Sequence, residues 1–156
     1  MTKISLTKIL LLFGIFYLFN SVVLAEEVSK AEVLREIRNY EKLITTLTKD
    51  INSNPDNWKN YINRADSKAI IGGYLKYYLN NDEDALNYYN EAIKDYNTAI
   101  KINPNMFINY LSRGRTKENL KDYDGAINDY FTFILIKPNH LLVKDTIDKI
   151  KTLMQN

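Results

Sequence analysis

Catalysis needs a nucleophile, a base or a metal ligand in suitable company, and this chain offers few of them. Its single histidine, His140 in "KPNHLL", follows Pro138 and has no second ligand at metal spacing. A surface or capping role is the expectation for it. None of the six serines stands in a Gly-x-Ser-x-Gly elbow, and no glycine-rich phosphate loop occurs. The acidic run "DED" at 82–84 lacks the spaced oxygens and closing glutamate of a calcium loop. Acids at a helix start are what the helix dipole favours in any case. There is no cysteine, hence no disulfide and no thiolate for a zinc or iron–sulfur site. The sequence predicts no catalytic, cofactor-binding or metal-binding residue, and no enzyme.

The first 25 residues differ from the rest. "MTKISLTK" is basic, "ILLLFGIFYLF" is uninterrupted apolar sequence, and "NSVVLA" ends in small residues with Val23 and Ala25 at cleavage spacing. Residues 1–25 read as a secretory signal. The alternative is an uncleaved anchor, although the run from Ile9 to Ala25 is interrupted by Asn20 and Ser21 and is short for a bilayer. Two of the 21 basic residues fall in this segment, so residues 26–156 carry 19 basic against 19 acidic groups. A neutral, mixed surface gives no field to attract a phosphate backbone, which argues against nucleic acid as a partner. No asparagine stands in an Asn-x-Ser/Thr sequon, which favours a periplasmic or secreted bacterial protein over a eukaryotic secretory one.

The positioning elements are helices. Val33, Ile37, Tyr40, Ile44, Leu47 and Ile51 form one apolar stripe, with Ser29 and Glu32 as a capping box and Val28 as a staple onto Val33. Pro55 closes that helix. Beyond it the chain repeats itself. "YINRADSK" (61–68) returns as "YLSRGRTK" (110–117), 49 residues on, and "AIKDYNTAIKINPN" (92–105) returns as "AINDYFTFILIKPN" (126–139), only 34 residues on. The link from Leu79 to Ala85 matches that from Leu120 to Ala126, so the turn is unchanged. The first arm is longer by eight residues and the second by seven, close to two helical turns each. An antiparallel hairpin keeps its packing only if both arms grow by whole turns. The offsets therefore predict one tall hairpin beside one regular hairpin, with Ala65, Ala69 and Gly73 facing Ala85, Ala92 and Ala99 and letting the helices approach. Gly72 and Gly73 are expected inside a continuous helix.

A 34-residue unit of two helices closed by proline resembles the tetratricopeptide repeat. Tyr110, Gly114, Ala126, Tyr130 and Pro138 carry the resemblance in the regular copy; Tyr61, Ala65, Ala85 or Ala92, Tyr96 and Pro104 carry it in the tall one. "SRGRTK" and "GAINDY" are similar to a bacterial subtype. The absence of tryptophan from the first helix of the regular copy, and Phe133 in place of the usual late alanine, are departures. The resemblance implies an all-α, antiparallel helix-hairpin array of about six helices in residues 26–156. It comprises a tall repeat at 57–104, a regular repeat at 107–138 and capping helices at 29–52 and 140–154. In the last helix Val143, Ile147, Ile150 and Met154 are expected to face the array.

The same resemblance implies a non-enzymatic protein-interaction module, an exported adaptor or scaffold that binds a protein or peptide. First helices line the binding groove in such arrays. Carried over, the groove residues are Lys59, Ile62, Asp66, Ile108, Leu111, Arg115, Glu118 and Asn119. The lysine and asparagine of the family's carboxylate clamp fall on Ile62 and Asp66, so a free carboxylate is a poor fit. A second candidate surface is the hairpin tip with Tyr74, Tyr77, Tyr78, Tyr88 and Tyr89, since tyrosine gives contact area at little entropic cost. The alternative function is a self-assembling, homo-oligomeric envelope component, or one tethered to a membrane by its uncleaved start.

Overall fold

The structure is a computed structural model that describes residues 6–155, with side chains from residue 27 onward except residue 28. The side chains of the apolar run and cleavage site at 1–25, and the Val28 staple, lie outside that description. Among the described residues no helix is long and apolar enough to cross a membrane. Six helices and no strand make up the described chain: α1 (Leu6–Ser53), α2 (Trp58–Tyr78), α3 (Asp82–Ile102), α4 (Phe107–Asn119), α5 (Tyr123–Ile136) and α6 (Val143–Leu153). The chain divides into two units, Met1–Glu36 and Ile37–Asn156. In the first, Arg35 and Glu36 form an exposed ion pair at 3.9 Å. No helix begins at Ser29, contrary to the capping-box expectation. The helix already runs through residues 25–28, whose carbonyls take the N–H groups that a cap would have served.

In the second unit α2 packs on α3, α3 on α4, α4 on α5 and α5 on α6. The α1 stripe behaves as its spacing predicts: Ile37, Leu47 and Ile51 are buried, Tyr40 and Ile44 half-buried. This part of α1 meets the α2–α3 hairpin through Tyr40 against Tyr74, with ring centroids 6.4 Å apart, and through Thr48, which accepts a hydrogen bond from Arg64.

Both hairpin turns are built alike. Asn80 and Lys121 take positive φ, 51° and 61°. The next residue caps the second helix, Asn81 accepting from the Asp84 N–H at 3.2 Å and Asp122 from the Gly125 N–H at 3.0 Å. Ala65 packs with Tyr96 in the tall hairpin, where Gly114 meets Tyr130 in the regular one. One heptad further up the tall hairpin comes an additional layer, Gly72 against Tyr89. A Cβ on Gly72 would lie 2.7 Å from the Tyr89 ring, and one on Gly114 would lie 2.6 Å from the Tyr130 ring. Helix α2 runs unbroken through both glycines, and it is Gly72 rather than Gly73 that makes the close approach.

The last helix is rotated from its expected setting. Thr146, Ile150 and Leu153 are buried and Val143 half-buried, whereas Ile147 and Met154 are exposed. Two apolar stripes share Val143 and Ile150. The one containing Thr146 is accommodated because its hydroxyl donates to the Leu142 carbonyl at 2.7 Å and leaves only a methyl to pack. Helix α6 starts at Val143 rather than 140. His140 caps the preceding turn, its Nδ1 accepting from the Leu142 N–H at 3.2 Å, with its ring 5.0 Å from Phe107 and 5.7 Å from Phe133.

Candidate functional site

The first helices α2, α4 and α6 present side chains at matching registers: Asp66, Arg115 and Lys149 stand 49 and then 34 residues apart. The tyrosines of the second helices rise between them. Tyr96 donates its hydroxyl to Asp66 Oδ1 at 2.5 Å, and Tyr130 donates to Glu118 Oε1. Burial, and then the neighbouring carboxylate, push both phenols far above their ordinary range, so they stay donors at any physiological pH. Glu118 is also paired with Lys149 at 3.0 Å. The Ser112 hydroxyl lies near enough to Asp66 to favour its charged form. Burial holds its carboxyl above the usual carboxylate range, the Tyr96 and Ser112 hydroxyls offsetting part of that rise. Beside this row Leu111, Arg115, Tyr130, Leu142, Asp145, Thr146 and Lys149 enclose a pocket of about 220 Å³, with an apolar floor and a charged rim.

The two hairpins also carry two copies of one ion cluster. Arg64 forks onto Asp95 with Nε–Oδ2 2.9 Å and Nη2–Oδ1 2.6 Å, Lys68 joins at 2.8 Å, and the remaining Arg64 nitrogen reaches Thr48 at 3.0 Å. Arg113 forks onto Asp129 at 2.8 and 2.5 Å, Lys117 joins at 2.9 Å, and Arg113 reaches Asn97 at 2.7 Å. Each arginine thus ties its own hairpin to the preceding helix. The residues were visible in the repeats, as Arg-x-x-x-Lys in the first arm and Asp-Tyr in the second, but nothing in the sequence pairs them.

The structure sorts the sequence-predicted groove residues. Lys59 and Arg115 are exposed; Asp66, Ile108, Glu118 and Asn119 are half-buried. Ile62 and Leu111 are corrections. Both are core because an apolar side chain at that register turns into the hairpin interface, and Leu111, at 2% exposure, reaches the surface only as the floor of the pocket. Asn119 is engaged with the tall hairpin, accepting from the Tyr77 hydroxyl at 2.9 Å.

The tip tyrosines do not form one surface. Tyr77 and Tyr78 are 64% and 62% exposed. Tyr74 is half-buried against Tyr40 and Tyr78, and Tyr88 donates to Glu41 Oε1 at 3.4 Å, so α1 covers that side. Tyr89 is a correction: at 1% exposure it is core, held over Gly72, and burial pushes its hydroxyl up to about 12. On the other side the tall hairpin overhangs the turn of its shorter neighbour. Lys76, Asp82, Ala85, Leu86, Tyr89, Asn119, Leu120 and Lys121 line a step there of about 340 Å³.

This is the fold of tetratricopeptide-repeat domains, an array of antiparallel helix hairpins. Residues 83–106 match the family described as Tetratricopeptide repeat. The Arabidopsis OM64 TPR domain superposes with a TM-score of 0.60 at 21% identity, over 74% of this chain and 83% of that one. The first TPR of Spaghetti (RPAP3) bound to HSP90 peptide SRMEEVD gives 0.58 at 22% identity, over 75% and 79%. The second TPR domain of human RPAP3 in complex with HSP70 peptide SGPTIEEVD gives 0.57 at 24% identity, over 82% and 93%. No curated protein sequence matches the chain.

Proposed function

We propose that the chain is a non-enzymatic adaptor that binds an extended segment of a partner protein across α2, α4 and α6. The observation that carries this reading is the row of partly open, chemically varied first-helix residues beside a pocket with an apolar floor and a charged rim. Such a surface suits side-chain recognition along a peptide. Domains of the same fold whose structures hold peptides on them, the two RPAP3 examples, support it by analogy of fold. The basic start and apolar run of residues 1–25 support export, to a periplasm or beyond.

Selection of random displayed peptides on the full chain tests the reading. Binders should lose affinity for a Lys59→Glu, Arg115→Glu variant and keep it for Tyr77→Ala, Tyr78→Ala. Failure to enrich any peptide, or binders indifferent to the first pair of changes, would overturn it. The exposure of Tyr77 and Tyr78 favours one second reading, self-association through the tip. Sedimentation of the full chain would then show concentration-dependent dimers that Tyr77→Ser, Tyr78→Ser abolishes.

A further inference from the structure

The enclosed acids of the array are treated differently. Asp95 and Asp129 each hold an arginine and a lysine, and Glu118 holds Lys149. Asp66, among the described residues, accepts from the Tyr96 hydroxyl, lies near that of Ser112 and has no cation. A half-buried carboxylate without a cation is an incomplete arrangement, since two hydroxyls replace only part of the water it has lost. At the same register of the next first helix stands Arg115, exposed and without an ion pair among the described residues. The face therefore offers a negative site on α2 and a positive site on α4.

We infer that this surface selects a partner segment carrying a lysine or arginine seated on Asp66 and an aspartate or glutamate about three residues away seated on Arg115. The spacing follows from geometry. Helices α2 and α4 are in contact, packed helix axes lie about 8–10 Å apart, and an extended strand advances about 3.3 Å per residue. The basic side chain supplies the counter-charge that the other enclosed acids already possess. It keeps the Tyr96 hydrogen bond intact, because that bond ends on one carboxylate oxygen and the other can face the partner. Arg115 takes the acid at the partner's other end, which fixes the direction in which the segment lies. The inference rests on the groove reading above and names the chemistry of its occupant.

A positional array of ten-residue peptides, with Lys, Glu or Gln at each position, probed with the full chain, tests it. Bound peptides should carry a basic residue with an acidic one about three positions off, in one order and not the reverse. Asp66→Asn, which preserves shape and the Tyr96 hydrogen bond, should weaken the best peptide roughly ten- to a hundredfold. Arg115→Gln should weaken it less. Unchanged helical circular dichroism in Asp66→Asn ties the loss to charge. Selection of purely acidic peptides, or binding unaffected by Asp66→Asn while Lys59→Glu, Arg115→Glu still removes it, would overturn this inference and leave the groove reading standing. No peptide bound above background would overturn both.

Discussion

The tall hairpin α2–α3 and the regular hairpin α4–α5 are one design executed at two heights. They share the turn, the N-cap, the Arg–Asp–Lys cluster and a tyrosine laid across a small residue. The tall copy adds eight residues to the first arm and seven to the second, about two turns each, and with them a second tyrosine layer. What changes is where glycine is required. In the regular hairpin it is Gly114 under Tyr130, whereas in the tall one Ala65 accompanies Tyr96 and the glycine has moved up to Gly72 under Tyr89. Height was gained without altering the pairing rule, because a heptad returns each helix to nearly the same face. The lengthened arms are covered by α1 on one side and left open over the shorter turn on the other.

The largest effect should come from the part the hairpins share. Asp95→Ala or Asp129→Ala removes the acid from beneath two largely buried cations and leaves the arginine without its carboxylate, at a cost of about 3–5 kcal/mol each. Urea unfolding followed by circular dichroism measures this. If the hairpins are equivalent tiles, the two losses should agree within about 1 kcal/mol. A much smaller loss for Asp95 would mean that Glu91, 3.6 Å from Lys68, compensates in the tall copy.

A middle effect should come from the glycines. Gly72→Ala and Gly114→Ala each place a Cβ under 3 Å from a tyrosine ring that is itself buried and cannot retreat. Overpacking of this kind costs about 1–3 kcal/mol. Gly73→Ala should act in the opposite sense. Its Cβ would meet only the Tyr89 hydroxyl, at 3.9 Å, so the gain in helix propensity, up to about 1 kcal/mol, is opposed by no clash. Thermal melts of the three variants distinguish neighbouring glycines that the sequence alone treats alike.

That contrast marks how far the residues could be read. Six helices, their turns and the tall hairpin were legible because apolar spacing, proline and two unequal offsets are one-dimensional signals. Facing was less so. Tyr88 and Tyr89 are adjacent and chemically identical, yet one reaches Glu41 and the other lies over Gly72, a difference set by the partner helix. The α6 stripe could be drawn through Ile147 and Met154 or through Thr146 and Leu153, and the second is realised because Thr146 satisfies its hydroxyl within its own helix. Ile62 and Leu111 sit at first-helix positions assigned to the groove by resemblance, but packing claims them. Conversely, Arg64, Lys68 and Asp95 drew no role from the sequence, and only the pairing of two helices shows that they are mutually neutralised.

The smallest effect separates the hairpins by charge, since Asp66 in one stands where Arg115 stands in the other. Burial raises the Asp66 carboxyl in the folded chain above its unfolded value. The folded state then binds the proton more tightly, and the stability slope with pH is negative between the two values. Stability attributable to Asp66 is therefore lost as pH rises from near 4, its ordinary range, through the raised folded value, and is recovered as pH falls. At pH 7 the charged carboxylate is a net burden on the free protein. Asp66→Asn keeps an oxygen to accept from Tyr96 and removes the charge, so it should raise the melting temperature at pH 7 by on the order of a degree or two. That advantage should shrink steadily toward pH 4, while Arg115→Gln should show no such trend. A melting temperature that falls at pH 7 would mean that the charge on Asp66 is compensated within the fold, and the basic residue inferred for the partner would lose its reason to bind there.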